Sequence, residues 1–108
     1  MTFTQILETA REMAKKADIS GVGFMAVQIN IVGEGEGVFY VEVKDGCIHV
    51  EPYEYYDRQC SITIDGKDFD SLLQGRLDPG KAYDDGRLRA DGDLGKALEF
   101  SDLIRKKI

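Results

Sequence analysis

Between Ser61 and Asp93 the sequence is punctuated too closely for any long element to fit. Ser61-Ile62-Thr63-Ile64-Asp65 alternates apolar and polar residues, the period of a half-buried strand. Asp68-Phe69-Asp70-Ser71-Leu72-Leu73 places its apolar residues on one side of a short helix, which Gly75 stops. Asp78-Pro79 is a helix start, with Asp78 as cap and Pro79 at the first helical position, and Gly86 ends that helix. Arg87 to Asp91 returns to alternation with Leu88 and Ala90 on one face, and Asp93 caps a final helix. Helices this short are not stable in isolation. They need a sheet to lie on, and the rest of the chain has to supply it.

That supply is legible. Residues 4–17 carry Ile6, Leu7, Ala10, Met13, Ala14 and Ala17 at helical spacing, with Glu8, Arg11, Glu12 and Lys15 on the other side. Residues 24–32 alternate, with Met25, Val27, Ile29 and Ile31 on a core face and Ala26, Gln28 and Asn30 toward water. Residues 38–44 turn Phe39, Val41 and Val43 inward, and residues 47–51 do the same with Ile48 and Val50. Asp45-Gly46 between them is a two-residue hairpin signal, because a type I′ turn needs positive φ at both positions. Pro52 ends that pairing, and Tyr53 to Arg58 form a polar-aromatic crossing loop. In the last helix Leu94, Ala97, Leu98, Ser101 and Ile104 share a face that Phe100 and Leu103 widen. The sum is an α+β fold: one five-stranded, mainly antiparallel sheet with helices packed on one face and water on the other. A single domain over residues 1–108 suits this length.

Charge and residue inventory then remove several functions. A net charge of −6 with no basic run argues against nucleic acid, whose phosphates need neutralising, and limits membrane contact to a transient one. Cys47 and Cys60 are expected to be free and reduced. The first residues hold no signal-type apolar run and the chain closes Lys106-Lys107-Ile108 rather than Ser-Lys-Leu, so a cytoplasmic place is expected. Gly33-Glu34-Gly35-Glu36-Gly37 has the look of a phosphate loop, but a strand follows it and two glutamates would repel an anion, so it reads as a hairpin loop. His49 stands alone on a solvent-facing strand position, and a Cys60–His49 nucleophile pair has no spacing to support it. No metal site, cofactor or catalytic constellation is expected, and the chain reads as a non-enzyme.

What remains is apolar surface beyond the needs of a single layer. Asn30-x-x-Gly33, the Asp45-Gly46 hairpin, Cys60-x-Ile62-Thr63-Ile64, Asp68-Phe69-x-x-Leu72-x-x-Gly75-Arg76-Leu77-Asp78-Pro79 and Ala82-Tyr83-x-x-Gly86-Arg87-Leu88-x-x-x-Gly92-Asp93 together resemble the sterol carrier protein 2 (SCP2) domain family. The resemblance runs from the first helix to the last. It implies a helix-covered sheet with a tunnel for a lipid: a sterol, fatty acid, fatty acyl-CoA or isoprenoid-like molecule bound without covalent chemistry. Such a pocket would be lined from the sheet by Val27, Ile29, Phe39, Val41 and Leu88. From the helices and their turns it would take Phe69, Leu72, Leu73, Leu77, Tyr83, Leu98, Phe100, Leu103 and Ile104. A rigid, empty apolar cavity of about 300 Å³ would cost roughly 7 kcal/mol, close to the whole stability of a small domain. The pocket is therefore expected to be occupied, or partly collapsed when empty. The alternative is a structural or dimerising domain of the same fold with a closed pocket, and the chain is expected to be a monomer or homodimer.

Overall fold

The computed structural model describes residues 1–105; the terminal Lys106-Lys107-Ile108 lies outside them. In chain order the elements are α1 (Phe3–Lys16), β1 (Met25–Val32), β2 (Gly37–Lys44), β3 (Cys47–Glu51), β4 (Cys60–Asp65), α2 (Gly66–Leu73), α3 (Pro79–Asp84), β5 (Leu88–Gly92) and α4 (Leu94–Ile104). Each helix begins where a side chain satisfies an orphan backbone donor. Thr2 and Gln5 form a reciprocal capping box at α1, with bonds of 3.2 and 2.8 Å. Asp65, Asp78 and Asp93 accept from the N–H groups of Lys67, Lys81 and Lys96 at 2.8, 3.0 and 3.1 Å. The β2–β3 turn is made by Asp45 and Gly46 at φ 52° and 75°, both in the left-handed region as a type I′ turn requires.

The strands form one sheet in the order β3-β2-β1-β4-β5. Three pairings are antiparallel, but β1 runs parallel to β4, with Ile29 opposite Ile62, so the sheet is mixed rather than mainly antiparallel. The parallel pairing follows from the crossing loop: after the β3 edge the chain passes over two strands and enters beside β1 in the same direction.

That passage also changes the outer face. Gln28 and Ala26, expected to face water, are buried. The Gln28 side-chain oxygen accepts from the Tyr55 N–H at 3.1 Å, and its amide donates to Asn30 at 3.0 Å. Tyr55 stacks edge-on against Tyr40 and donates its hydroxyl to Glu42 at 2.6 Å. The loop thus forms a thin polar layer over the middle of the sheet. A buried amide with its hydrogen bonds made costs little, whereas one left unmade is expensive.

The helices cover the opposite face and share one core with it. Ile6, Met25, Ile29, Phe39, Ile62, Phe69, Leu72 and Phe100 are all fully buried. The apolar face of α4 is rotated from the sequence expectation: Phe100 points to the sheet and Leu94 is exposed. Burying the larger aromatic ring removes more apolar area from water, so the helix settles on that side. No helix among the described residues is long and apolar enough to cross a membrane.

Candidate functional site

The helical roof is anchored in two parts. The first helix packs chiefly on β3 and α2, while α4 packs on β1 and β4. Between them lies a groove of about 570 Å³, within the range of small-molecule sites. Thr9, Glu12, Met13, Lys16, Ala17 and Asp18 line one wall, and Gln74, Leu103, Ile104 and Arg105 line the other. Met13 and Ala17 are four residues apart and so share a helix-side face, and the small Ala17 leaves the seam open. Leu103 and Ile104 supply the apolar floor at the end of α4. Ile104 is also a core residue, so the groove abuts the interior directly.

The polar end is built around Arg105. One guanidinium nitrogen donates to the Gly75 carbonyl at 3.1 Å, and another stands 3.8 Å from the Asp78 carboxylate. Its Nε is buried and has no hydrogen-bond partner among the described residues. On the rim, the Asp18 carboxylate is held below the usual range by the Ser20 N–H it accepts at 3.0 Å.

Most of the pocket residues named from sequence come together, but as a solid. Val27, Ile29, Phe39, Val41, Phe69, Leu72, Leu73, Leu88, Phe100 and Ile104 are fully buried in the common core. The Phe39 ring lies 5.8 Å from Phe69 and 6.2 Å from Phe3, in the tilted and edge-on geometries aromatic pairs prefer. Leu77, Leu98 and Leu103 are half-buried, and Tyr83 is exposed on α3, away from that core. From that set, Leu103 and Ile104 reach the groove. Lys16, Gln74 and Arg105 carry no sequence signal, since no periodicity marks a polar residue that a distant element will bring to a cleft. Met13 and Ala17 were visible as helix stripe residues, but not as a stripe that α4 leaves partly uncovered.

The remaining reactive side chains are kept apart. Cys60 faces the core on β4, and burial pushes its thiol up to about 11. His49 is exposed on the outer face of β3, with β2 and β1 between the two strands. Three strand spacings put them roughly 14 Å apart on opposite faces, beyond any proton transfer. Cys47, by contrast, is exposed. At neutral pH a disulfide-exchange reagent is expected to titrate Cys47 promptly, and Cys60 only after denaturation. Two fast thiols in the native protein would contradict this placement.

The mixed sheet, its helical roof and the loop crossing its outer face define an α+β domain of the sterol-carrier type. The chain belongs to the SCP-2 sterol transfer family, whose model matches residues 3–105. Lipid binding or transfer, in the general sense, goes with that family. Human Sterol carrier protein 2 is 32% identical over 71 residues, which cover 66% of this chain but only 13% of that protein's length. Among solved structures, the palmitated SCP2L2 of Aedes aegypti matches with a TM-score of 0.72 at 20% identity, covering 98% of this chain and 96% of the other. The sec-alkylsulfatase Pisa1 of a Pseudomonas species matches with a TM-score of 0.75 at 16% identity, over 89% of this chain and 16% of the enzyme. Likeness at these identities is a likeness of fold.

Proposed function

We propose that this chain binds and carries a single hydrophobic ligand without covalent chemistry. The classes that suit it are a fatty acid, a fatty acyl-CoA or a sterol- or isoprenoid-like lipid. The observation that carries the reading is the groove between α1 and α4: its apolar floor is continuous with the helix–sheet interior through Ile104, and its rim is polar. A ligand tail enters at that seam, because the two helices on either side are anchored on different parts of the sheet. Deeper insertion displaces side chains such as Leu103, which is only half-buried against the core. A fatty acid is favoured within the set by the palmitated Aedes aegypti relative of the same fold.

The test is a titration with a fluorescent fatty acid, together with native mass spectrometry of the protein as purified. Saturable binding of one ligand per chain is the expected result. No saturable binding and no co-purifying lipid would overturn the reading.

A second reading has its own support. Tyr56 is 95% exposed and Tyr53 65% exposed on the crossing loop, and large exposed aromatics are typical of protein contacts. With the interior filled, the domain would then act as an interaction or dimerising module. Light scattering across a range of concentrations distinguishes a dimer from a monomer.

A further inference from the structure

The groove has a chemically distinct end, and we infer that Arg105, aided by Lys16, is a recognition site for the anionic oxygen head of a single-chain amphiphile. The inference rests on the lipid-binding reading above and narrows it. A neutral sterol has no group to match this end, whereas a carboxylate or phosphate on an alkyl chain does.

The Arg105 guanidinium is under-used where it stands. It has five N–H donors in a planar fork. One hydrogen bond, to the Gly75 carbonyl, and one ion-pair distance of 3.8 Å to Asp78 are what the described residues give it. Asp78 caps α3 with its other oxygen, Oδ2, and the Oδ1 that faces Arg105 stands 3.8 Å away, beyond hydrogen-bond distance. A buried Nε without an acceptor is costly, and a bound anionic oxygen relieves that cost. The fork geometry suits a planar carboxylate best, because both oxygens can be engaged at once.

Lys16 lines the same groove, in the last turn of α1, and makes no ion pair among the described residues. Glu12 lies one helical turn earlier and offsets part of its charge, so the guanidinium carries the head group and the lysine assists. The rim's Asp18 is engaged by Ser20. Met13 and Leu103 then receive the first carbons of the chain.

The experiment compares laurate, dodecyl phosphate and dodecanol at pH 8, the first two below their micelle concentrations and the alcohol below its solubility limit, for the full chain and for Arg105→Gln, Arg105→Lys and Lys16→Gln. The wild-type protein is expected to bind laurate at least about tenfold more tightly than dodecanol, the factor a charge-assisted pair supplies. Arg105→Gln should bring the two within about twofold of each other, chiefly by weakening laurate. Arg105→Lys should restore part of the preference, because charge returns without the fork. Lys16→Gln, at an exposed helix end where the fold is not at risk, should lower the preference by about threefold. Tighter binding of dodecyl phosphate than of laurate supports the anion site and assigns it a phosphate. Equal wild-type affinities for laurate and dodecanol, or an undiminished preference in Arg105→Gln, overturn the head-group site and leave the lipid reading intact. Failure of laurate, dodecyl phosphate and dodecanol alike to bind the wild-type protein overturns both.

Discussion

Gly66→Ala is expected to destabilise the domain by roughly 3 kcal/mol or more, at or beyond the upper end of what overpacking costs when neighbours can adjust. Gly66 is the first residue of α2, immediately after its cap Asp65. A Cβ there would overlap the Glu34 carbonyl oxygen and stand 2.9 Å from both the Glu34 carbonyl carbon and the Ile6 Cδ1. The obstacle is backbone, so rotating a side chain does not relieve it. Nor can the loop retreat cheaply, because it closes the hairpin between β1 and β2 and is itself pressed against α1. A Cβ at Gly35, already at φ 77°, would meet the Ile6 side chain and the Met1 carbonyl. Several kcal/mol is a large share of the roughly 5–15 kcal/mol that holds a domain of this size together. Urea unfolding followed by circular dichroism checks it, with Gly80→Ala as the control. A Cβ at Gly80 meets only the Asp78 carboxylate oxygen, at 3.4 Å, and alanine favours the helix, so that variant should be neutral or slightly more stable. Equal midpoints for the two variants would mean that α2 and the hairpin loop do not approach this closely.

The same contact explains a motif whose purpose the sequence leaves open. Gly33 to Gly37 reads correctly as a hairpin loop, but its glycines are there for close approach as much as for turning. Features that depend on a few neighbouring residues are legible: the Asp78 and Asp93 caps, Pro79 at a helix start, and the Asp45-Gly46 turn. Each is a side chain or a φ angle acting on backbone within three residues. Features that depend on which elements meet are not. Alternation in β1 reveals two faces but not what lies on either, so Gln28 looked solvated until the crossing loop placed Tyr55 over it. It likewise gives no strand order, so it does not reveal the parallel β1–β4 pairing. The groove lies further out of reach, because it is built by α1 and α4, which are far apart in the sequence. Arg105 enters it only because Gly75 and Asp78, nearly thirty positions earlier, come to meet its guanidinium.

Phe100→Ala tests whether the filled interior is a permanent core or one a ligand can share. Phe100 is fully buried one helical turn before Ile104, which lines the groove. Truncating a buried phenylalanine costs about 3–5 kcal/mol, through lost transfer energy and the cavity left behind. For a domain near this size that lowers the melting temperature by roughly 12–30 °C. The cavity adjoins the groove, so an alkyl tail entering past Ile104 can fill it. A ligand at about 100 times its Kd stabilises any folded protein by about 2.7 kcal/mol, and wild type should gain that much. The variant should gain more at the same laurate concentration, because the tail replaces lost ring contacts and no longer has to displace packed side chains. Thermal melts of both proteins with and without laurate measure the two increments. A larger rise in Phe100→Ala than in wild type puts the tail in the helix–sheet interior. Equal rises confine the ligand to the outer groove. No rise in either protein leaves the core closed to lipid, and the exposed Tyr53–Tyr56 loop becomes the surface through which the domain acts.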